Sequence, residues 1–250
     1  MTTIDERLQQ VRARIARACV QHGRDPAGVR LLAVSKTWGP EAVWQAWQAG
    51  QRDFGENYVQ EGVEKVRSLR ALGASDLVWH FIGPLQCNKT RPVAEHFDWV
   101  HSIDRLKIAQ RLSEQRPAGH KPLQVCIQVN LDGGANKAGV PAAEALALAQ
   151  QVAALPRLQL RGLMCIPEPA PDFAAACRVF GQLAALRVQM QGQLQGQMPE
   201  QRLDTLSMGM SDDLEAALAS GSTLLRVGSA IFGPRAYAAG AAASVSGKEK

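Results

Sequence analysis

Val29-Arg30-Leu31-Leu32-Ala33-Val34-Ser35-Lys36 is an apolar run closed by a lysine, and Gly39-Pro40-Glu41 opens a helix-like segment almost at once. Strand alternation puts Leu32, Val34 and Lys36 on one face and Leu31, Ala33 and Ser35 on the other. A lysine ending a run that otherwise reads as buried needs a reason, because desolvating an ammonium is costly. The same desolvation lowers its pKa and frees the amine to attack a carbonyl carbon, forming a Schiff base. Lysines at strand ends also snorkel to solvent, so Lys36 alone leaves both accounts open.

Outward from this unit the pattern repeats. Strand-like segments lie near residues 30–35, 51–54, 78–82, 98–102, 123–130, 158–164, 203–207 and 224–228. After a first helix over about residues 3–22, helical patterns fall at Glu41–Ala49, Glu56–Leu72, Asp104–Gln115, Ala142–Leu155, Asp172–Gln195 and Asp212–Ala219. Eight strands, each followed by a helix or turn, are what a single-domain (β/α)8 TIM barrel requires, here with an extra N-terminal helix. An open doubly wound sheet competes, but no Gly-x-Gly-x-x-Gly turn follows the first strand. Several strands end in polar or glycine-rich text, such as Phe54-Gly55-Glu56-Asn57 and Ser207-Met208-Gly209. A barrel gathers such ends on one face, where this fold carries its chemistry. The barrel is expected over residues 1–235, and the Ala/Gly/Ser-rich residues 236–250 are expected to be a disordered tail.

Composition narrows the class. At 250 residues, 46% hydrophobic and 20% charged, the chain suits one soluble globular domain. No apolar stretch approaches the ~20 residues that span a bilayer, and the N-terminus carries Asp5, Glu6 and Arg7 in place of an export core. Cys19, Cys87, Cys126, Cys165 and Cys177 are odd in number and form no C-x-x-C pair, against a disulfide framework or a zinc site. A cytoplasmic setting and no metal are expected. The net charge of +5 comes partly from Arg7, Arg12, Arg14, Arg17 and Arg24, on and just after the first helix. Spaced around Leu8, Val11 and Ile15, these arginines read as a solvated helix face, and no nucleic-acid partner is expected.

The last strand carries the second signal, Leu224-Leu225-Arg226-Val227-Gly228-Ser229-Ala230-Ile231-Phe232-Gly233. Leu224, Arg226 and Gly228 share a face, and both faces of a barrel strand are covered, so Arg226 should lie inside or at the mouth with a partner. Gly228 followed by Ser229 lets backbone amides and a hydroxyl approach an anion. Phosphate sites of this fold recur after the seventh and eighth strands, and Ser207-Met208-Gly209-Met210-Ser211 follows the seventh. Ser211 reads as the N-cap of the next helix, with Asp212 and Asp213 in its first turn. Those acids would repel a phosphate on that helix end, so the anion falls to Ser207 and the amides of Gly228 and Ser229. Pyridoxal phosphate uses all three features: an aldehyde for Lys36, a ring nitrogen for Arg226 and a phosphate for the cup. A guanidinium facing the ring nitrogen keeps it unprotonated and makes the ring a weaker electron sink.

Taken together, these blocks resemble the pyridoxal-phosphate homeostasis proteins, single-domain relatives of the alanine racemase barrel. The resemblance covers roughly residues 5–235, in blocks including Ala33-Val34-Ser35-Lys36-Thr37, His80-Phe81-Ile82-Gly83-Pro84-Leu85-Gln86 and Ser207-Met208-Gly209-Met210-Ser211-Asp212-Asp213. It implies that Lys36 carries the Schiff base and Arg226 faces the ring nitrogen. It also implies that Asn57 lies by the ring hydroxyl, Met208 and Gly209 line the pocket, and Ser207, Gly228 and Ser229 hold the phosphate. The chain departs from the family's pattern in the loop Asp132-Gly133-Gly134-Ala135-Asn136-Lys137, where an acidic residue is usual before the lysine. His80 either lines the pocket or is a core histidine bonded to a neighbouring strand. Glu56 reads as a helix cap, and Lys89 and Arg91 as surface residues.

Two functions fit. One is a carrier that holds pyridoxal phosphate for homeostasis and delivery, with PLP-dependent apoenzymes as recipients, no catalytic residue, and a monomeric or weakly dimeric state. The other is a PLP-dependent amino-acid racemase, which needs acid/base groups on both sides of the substrate's α-carbon. Lys36 supplies one, but neither Tyr58 nor Tyr237 is an evident second, so the carrier is the expected reading.

Overall fold

The computed structural model describes residues 2–132, 138–196, 198 and 201–234. The first helix, α1 (Ile4–Gln21), opens with Thr3 and Glu6 in a reciprocal capping box. There follow β1 (Arg30–Val34), α2 (Pro40–Gln48), β2 (Asp53–Glu56), α3 (Val59–Ala71), β3 (Val78–Phe81), α4 (Thr90–His96) and β4 (Trp99–Ile103). Next come α5 (Leu106–Gln115), β5 (Leu123–Asn130), the two-residue β6 (Val140–Pro141), α6 (Ala142–Ala153) and β7 (Leu158–Met164). The chain continues through α7 (Phe173–Gln195), β8 (Thr205–Ser207), α8 (Leu214–Ala219), β9 (Leu224–Val227) and α9 (Ser229–Phe232).

The pairings close a barrel. All are parallel, in the order β1-β2-β3-β4-β5-β7-β8-β9, and β9 returns to β1 with Leu32 opposite Arg226. The short β6 pairs with the end of β5 and stands outside the ring of eight. The architecture is thus the (β/α)8 barrel with an added N-terminal helix. Alternate residues of each strand face opposite ways. Outward residues such as Ala33, Phe54, Phe81 and Val227 join the shell beneath the helices. Inward ones form two small apolar plugs, Leu32 with Ile82 and Leu224, and Trp99 with Cys126 and Met164. Phe54, Phe81 and Phe97 are fully buried, each contributing ~1.5–3 kcal/mol. At Gly162 a Cβ would sit 1.8 Å from the Thr205 carbonyl oxygen, so only glycine lets β7 and β8 approach this closely.

Four expectations change. Glu56 is the last residue of β2 and fully buried, and it caps no helix, because α3 begins only at Val59. Asp213, not Ser211, precedes α8, and its carboxylate takes the Met210 N–H at 2.5 Å. The arginines of α1, and Arg24 just after it, are not all solvated. Arg12 donates to the Ala49 carbonyl, Arg14 grips Glu215 through two bonds of 2.6 and 2.7 Å, and Arg24 donates to the Leu218 and Ser222 carbonyls. Their stems lie along the barrel while the fork satisfies exposed carbonyls, so they staple α1 in place. Last, α4 was not foreseen, being seven residues long with Pro92 in its first turn. The expected tail, 236–250, lies outside the described residues.

Candidate functional site

The strand ends β1, β2, β3 and β9 surround a cavity of about 200 Å3 at the C-terminal mouth of the barrel. Its walls include Val34, Lys36, Asn57, Ile82, Arg226, Gly228 and Ser229, with Ile166, Met210, Ser211 and Asp212 at the remaining side. Lys36, Asn57, Arg226, Gly228 and Ser229, read from the sequence as one site, therefore meet in space.

Lys36 leaves the end of β1 next to Thr37, whose φ of +70° is left-handed and uncommon for a β-branched residue. A buried cluster holds this backbone on both sides. Lys65, from α3, donates to the Ser35 carbonyl at 2.7 Å, to Glu56 Oε1 at 2.8 Å and to Glu61 Oε1 at 2.6 Å. Glu61 Oε1 in turn accepts the Thr37 N–H at 2.6 Å, and the Ser35 hydroxyl donates to Glu56 Oε1 at 2.6 Å. Burial pushes the Glu56 carboxyl up from its ordinary value, against the pull of Lys65. Sequence reading missed this cluster; the signal was a lysine at the fourth position after Glu61 and the ninth after Glu56, on a helix face turned to the barrel.

Arg226 is buried within the barrel without a carboxylate in direct contact. One terminal nitrogen donates to the Ser207 carbonyl at 2.6 Å and to Ser207 Oγ at 2.9 Å, and the other to the Cys165 carbonyl at 2.8 Å. A guanidinium has five N–H donors, so two remain for the cavity that Arg226 lines. Burial lowers its pKa from the ordinary guanidinium value, partly offset by Cys165 and Asp213.

The remaining expected residues separate. Ser207 is fully buried, and its hydroxyl bonds Arg226 and His101 Nδ1, so it does not line the cavity. Met208 is fully buried in the outer shell, and a Cβ on Gly209 (φ +93°) would meet Ala217 and Leu225. Alternation turns Met208 away from the barrel interior, and the left-handed Gly209 faces α8 at Ala217, so neither lines the cavity. Met210 and Ser211 reach the cavity in their stead. His80 is wholly buried on the inner face of β3, bonded to His101 and Asp53, so it is a core histidine. Lys137 lies outside the described residues.

The cavity offers unmatched polar groups. Asn57 Oδ1 is buried without a hydrogen-bond partner among the described residues. The first amides of a helical turn lack intrahelical partners, and no described carbonyl accepts those of Ser229 and Ala230 at the start of α9. Gly228 has room for little more, since a Cβ there would lie 3.2 Å from the Val34 carbonyl oxygen. An aldehyde-bearing aromatic phosphate fits this donor set. By contrast a larger cavity of about 330 Å3 at the opposite end of the barrel is internally matched. Arg161 clamps Asp204 there at 3.1 and 2.5 Å, and Arg30 faces Asp53 at 3.6 Å. Cys126 and Cys165 are raised by burial to about 12 and so stay thiols. Among the described residues no group of acidic, histidine and cysteine side chains could hold a metal ion, and no helix is long and apolar enough to cross a membrane.

Comparison with known proteins follows the same lines. The family described as "Alanine racemase, N-terminal domain" matches residues 7–236. A pyridoxal phosphate homeostasis protein of Pseudomonas aeruginosa is 56% identical over 239 residues, spanning 96% of this chain and 99% of that protein. One from Escherichia coli K12 is 54% identical over 237 residues, spanning 95% and 99%. The solved structure of PipY from Synechococcus elongatus with PLP bound is 39% identical with a TM-score of 0.78, covering 92% of this chain and all of that one.

Proposed function

The chain belongs to the pyridoxal phosphate homeostasis proteins, on the alanine racemase N-terminal domain, and from that premise we propose that it binds pyridoxal 5'-phosphate as a non-catalytic carrier. The observation that carries this reading is the convergence of Lys36, Arg226 and Ser229, whose amide no described carbonyl accepts, on one cavity. When bound, the cofactor supplies an aldehyde that condenses with an amine, with loss of water. Lys36 is the anchor we assign, Arg226 offers its spare N–H groups to the ring nitrogen, and Asn57 turns an orphaned amide to the ring edge. Gly228 and Ser229 hold the phosphate, whereas Ser207 acts behind Arg226 and Met208 and Gly209 act only as packing.

The absence of turnover rests on the chemistry of the walls. Arg226 is a cation where a strong electron sink needs an acid partner. Tyr58 is 57% exposed and does not line the cavity. Asp212 is the one carboxylic acid among the lining residues, and it is exposed at the rim. The rest of the reading, a cytoplasmic protein of one chain or a weak dimer that passes cofactor to PLP-dependent apoenzymes, follows from the same proposal.

Borohydride reduction of the cofactor-loaded protein tests the anchor: label should map to the peptide containing Lys36, and Lys36→Ala should abolish the near-ultraviolet to blue absorbance. Label chiefly on Lys89 or Lys137 would overturn it. Hydrogen–deuterium exchange at the α-carbon of alanine in heavy water tests the carrier role. Exchange near that of free cofactor supports it; turnover at ~1–10³ per second, lost in Lys36→Ala, would make the protein an enzyme.

A further inference from the structure

Behind Arg226 a line of polar side chains crosses the barrel interior, and each belongs to a different strand. Asp53 Oδ1 on β2 lies 3.0 Å from His80 Nε2 on β3, and His80 Nδ1 lies 3.0 Å from His101 Nε2 on β4. His101 Nδ1 lies 2.8 Å from Ser207 Oγ on β8, which accepts from Arg226 on β9. Both histidines and Ser207 are wholly buried, and Asp53 opens toward the far end of the barrel beside Arg30. Such a line is unnecessary for packing alone, since apolar plugs fill other parts of the inner face.

The proton positions follow by elimination. A carboxylate only accepts, so His80 Nε2 must carry its hydrogen and point it at Asp53. A neutral His80 then accepts at Nδ1, which requires a hydrogen on His101 Nε2. His101 therefore accepts at Nδ1, and the only hydrogen left for that bond is the Ser207 hydroxyl's. Ser207 Oγ is then free to receive the Arg226 N–H. The reverse order would aim a ring lone pair at the Asp53 carboxylate and leave the Ser207 hydroxyl without an acceptor. Every donor thus points the same way, from the guanidinium to the carboxylate, and bonds in such a chain polarise one another.

We propose that Asp53, His80, His101 and Ser207 are positioning residues that hold Arg226 in a single orientation and tie the cofactor cavity to the opposite end of the barrel. The link to cofactor rests on the function proposed above; the tautomers do not. Burial agrees with two neutral rings, since it pulls the pKa of both histidines down. Asp53 thereby becomes a remote determinant of the pocket, although it touches none of the residues that line it.

Nitrogen-15 NMR of the histidine rings in cofactor-free protein at neutral pH reads the tautomers. Both rings should be neutral with hydrogen on Nε2; an Nδ1–H tautomer or a protonated ring at either position overturns the relay. Asp53→Ala should lose the fixed His80 tautomer, shift the Arg226 Nε resonance and weaken cofactor binding by about threefold or more. Asp53→Asn, which keeps an acceptor oxygen, should restore all three. If wild-type protein binds cofactor and Asp53→Ala changes neither resonance nor affinity, the relay is refuted while the carrier reading stands. If wild-type protein binds no cofactor, the carrier reading fails and the ring tautomers still decide the relay.

Discussion

Lys36 and Arg226 reach one cavity from adjacent strands, yet the polar groups behind them differ in kind. Behind Lys36 are formal charges packed tightly: Lys65 and Glu61 bond the backbone at Ser35 and Thr37, and Glu56 takes Lys65 and the Ser35 hydroxyl. Behind Arg226 are neutral rings and a hydroxyl, extended across the barrel and ending on a carboxylate at its far side. The difference suits the tasks proposed for the two residues. A nucleophilic amine must be carried on a backbone that does not give, so its neighbours clamp main-chain atoms. A hydrogen-bond donor to a ring must keep its planar fork oriented, so its neighbours bond the fork.

Breaking the charged cluster has the largest expected effect. Lys65→Met leaves Glu56 and Glu61 without their cation in a buried site, and loss of one partner of a buried ion pair costs about 3–5 kcal/mol. Urea unfolding should show that loss, against about 1–3 kcal/mol for a variant that leaves a buried hydroxyl partner unmet, such as Ser207→Ala. Equal losses in the two variants would erase the contrast between charged and neutral networks.

Acid should separate the networks by sign. His80 and His101 are held below the ordinary histidine value of 6.5 by burial, so between 6.5 and their lowered values the unfolded chain binds protons that the folded chain refuses. Stability must then fall as pH drops below 6.5, by up to about 1.4 kcal/mol per pH unit for each ring. Glu56 works oppositely: burial raises it above 4.5, so the folded chain binds a proton that the unfolded chain does not, and stability recovers as pH falls through that window. Urea midpoints from pH 7.5 to 5.5 should decline, and Glu56→Gln should not flatten the decline. A level profile would mean that the rings take up protons as readily folded as unfolded.

The proposed phosphate cup belongs to neither network. Ser229→Asp sets a negative charge against the phosphate and should weaken cofactor binding at least tenfold, roughly 1.4 kcal/mol, with little change in unfolding. A titration giving wild-type affinity would move the phosphate away from Gly228 and Ser229.

The contrast between the networks also marks what the sequence could disclose. Apolar runs ending in Lys36 and in Arg226-Val227-Gly228 announce strands and their faces, because period-two alternation survives in any sheet. Hence the barrel order and four of the cavity residues, Lys36, Arg226, Gly228 and Ser229, were legible from the residues themselves, while Asn57 comes through the family resemblance. Ser207 comes from the loop after the seventh strand and Met208 and Gly209 through the family resemblance; in the fold Met208 faces the outer shell, and a left-handed Gly209 turns the chain over. Glu56 looked like a helix cap because a polar residue before a helical pattern usually is one. The relay was hidden for a different reason. Its members are spread over five strands, and only barrel closure sets β9 beside β1 and brings β8 across the interior from β4.

The smallest effect lies at Thr37, where the cluster behind Lys36 holds a strained backbone. Its φ of +70° disfavours a side chain bearing a branched Cβ, at about 1–2 kcal/mol. Thr37 is exposed, so its side chain gains little packing in return. The residue is kept there by the Glu61 carboxylate on its N–H and by Lys65 on the preceding Ser35 carbonyl. Thr37→Gly should therefore relieve the strain and raise stability by up to about 1 kcal/mol, less what glycine loses in unfolded-chain entropy. Cofactor affinity should not rise with it, because the turn that carries Lys36 is fixed by main-chain bonds which glycine retains but no longer stiffens. Unfolding and titration of the same variant give both readouts. Destabilisation comparable to Lys65→Met would mean that the threonine side chain itself carries the turn, and the clamp on the backbone would lose its role in holding Lys36.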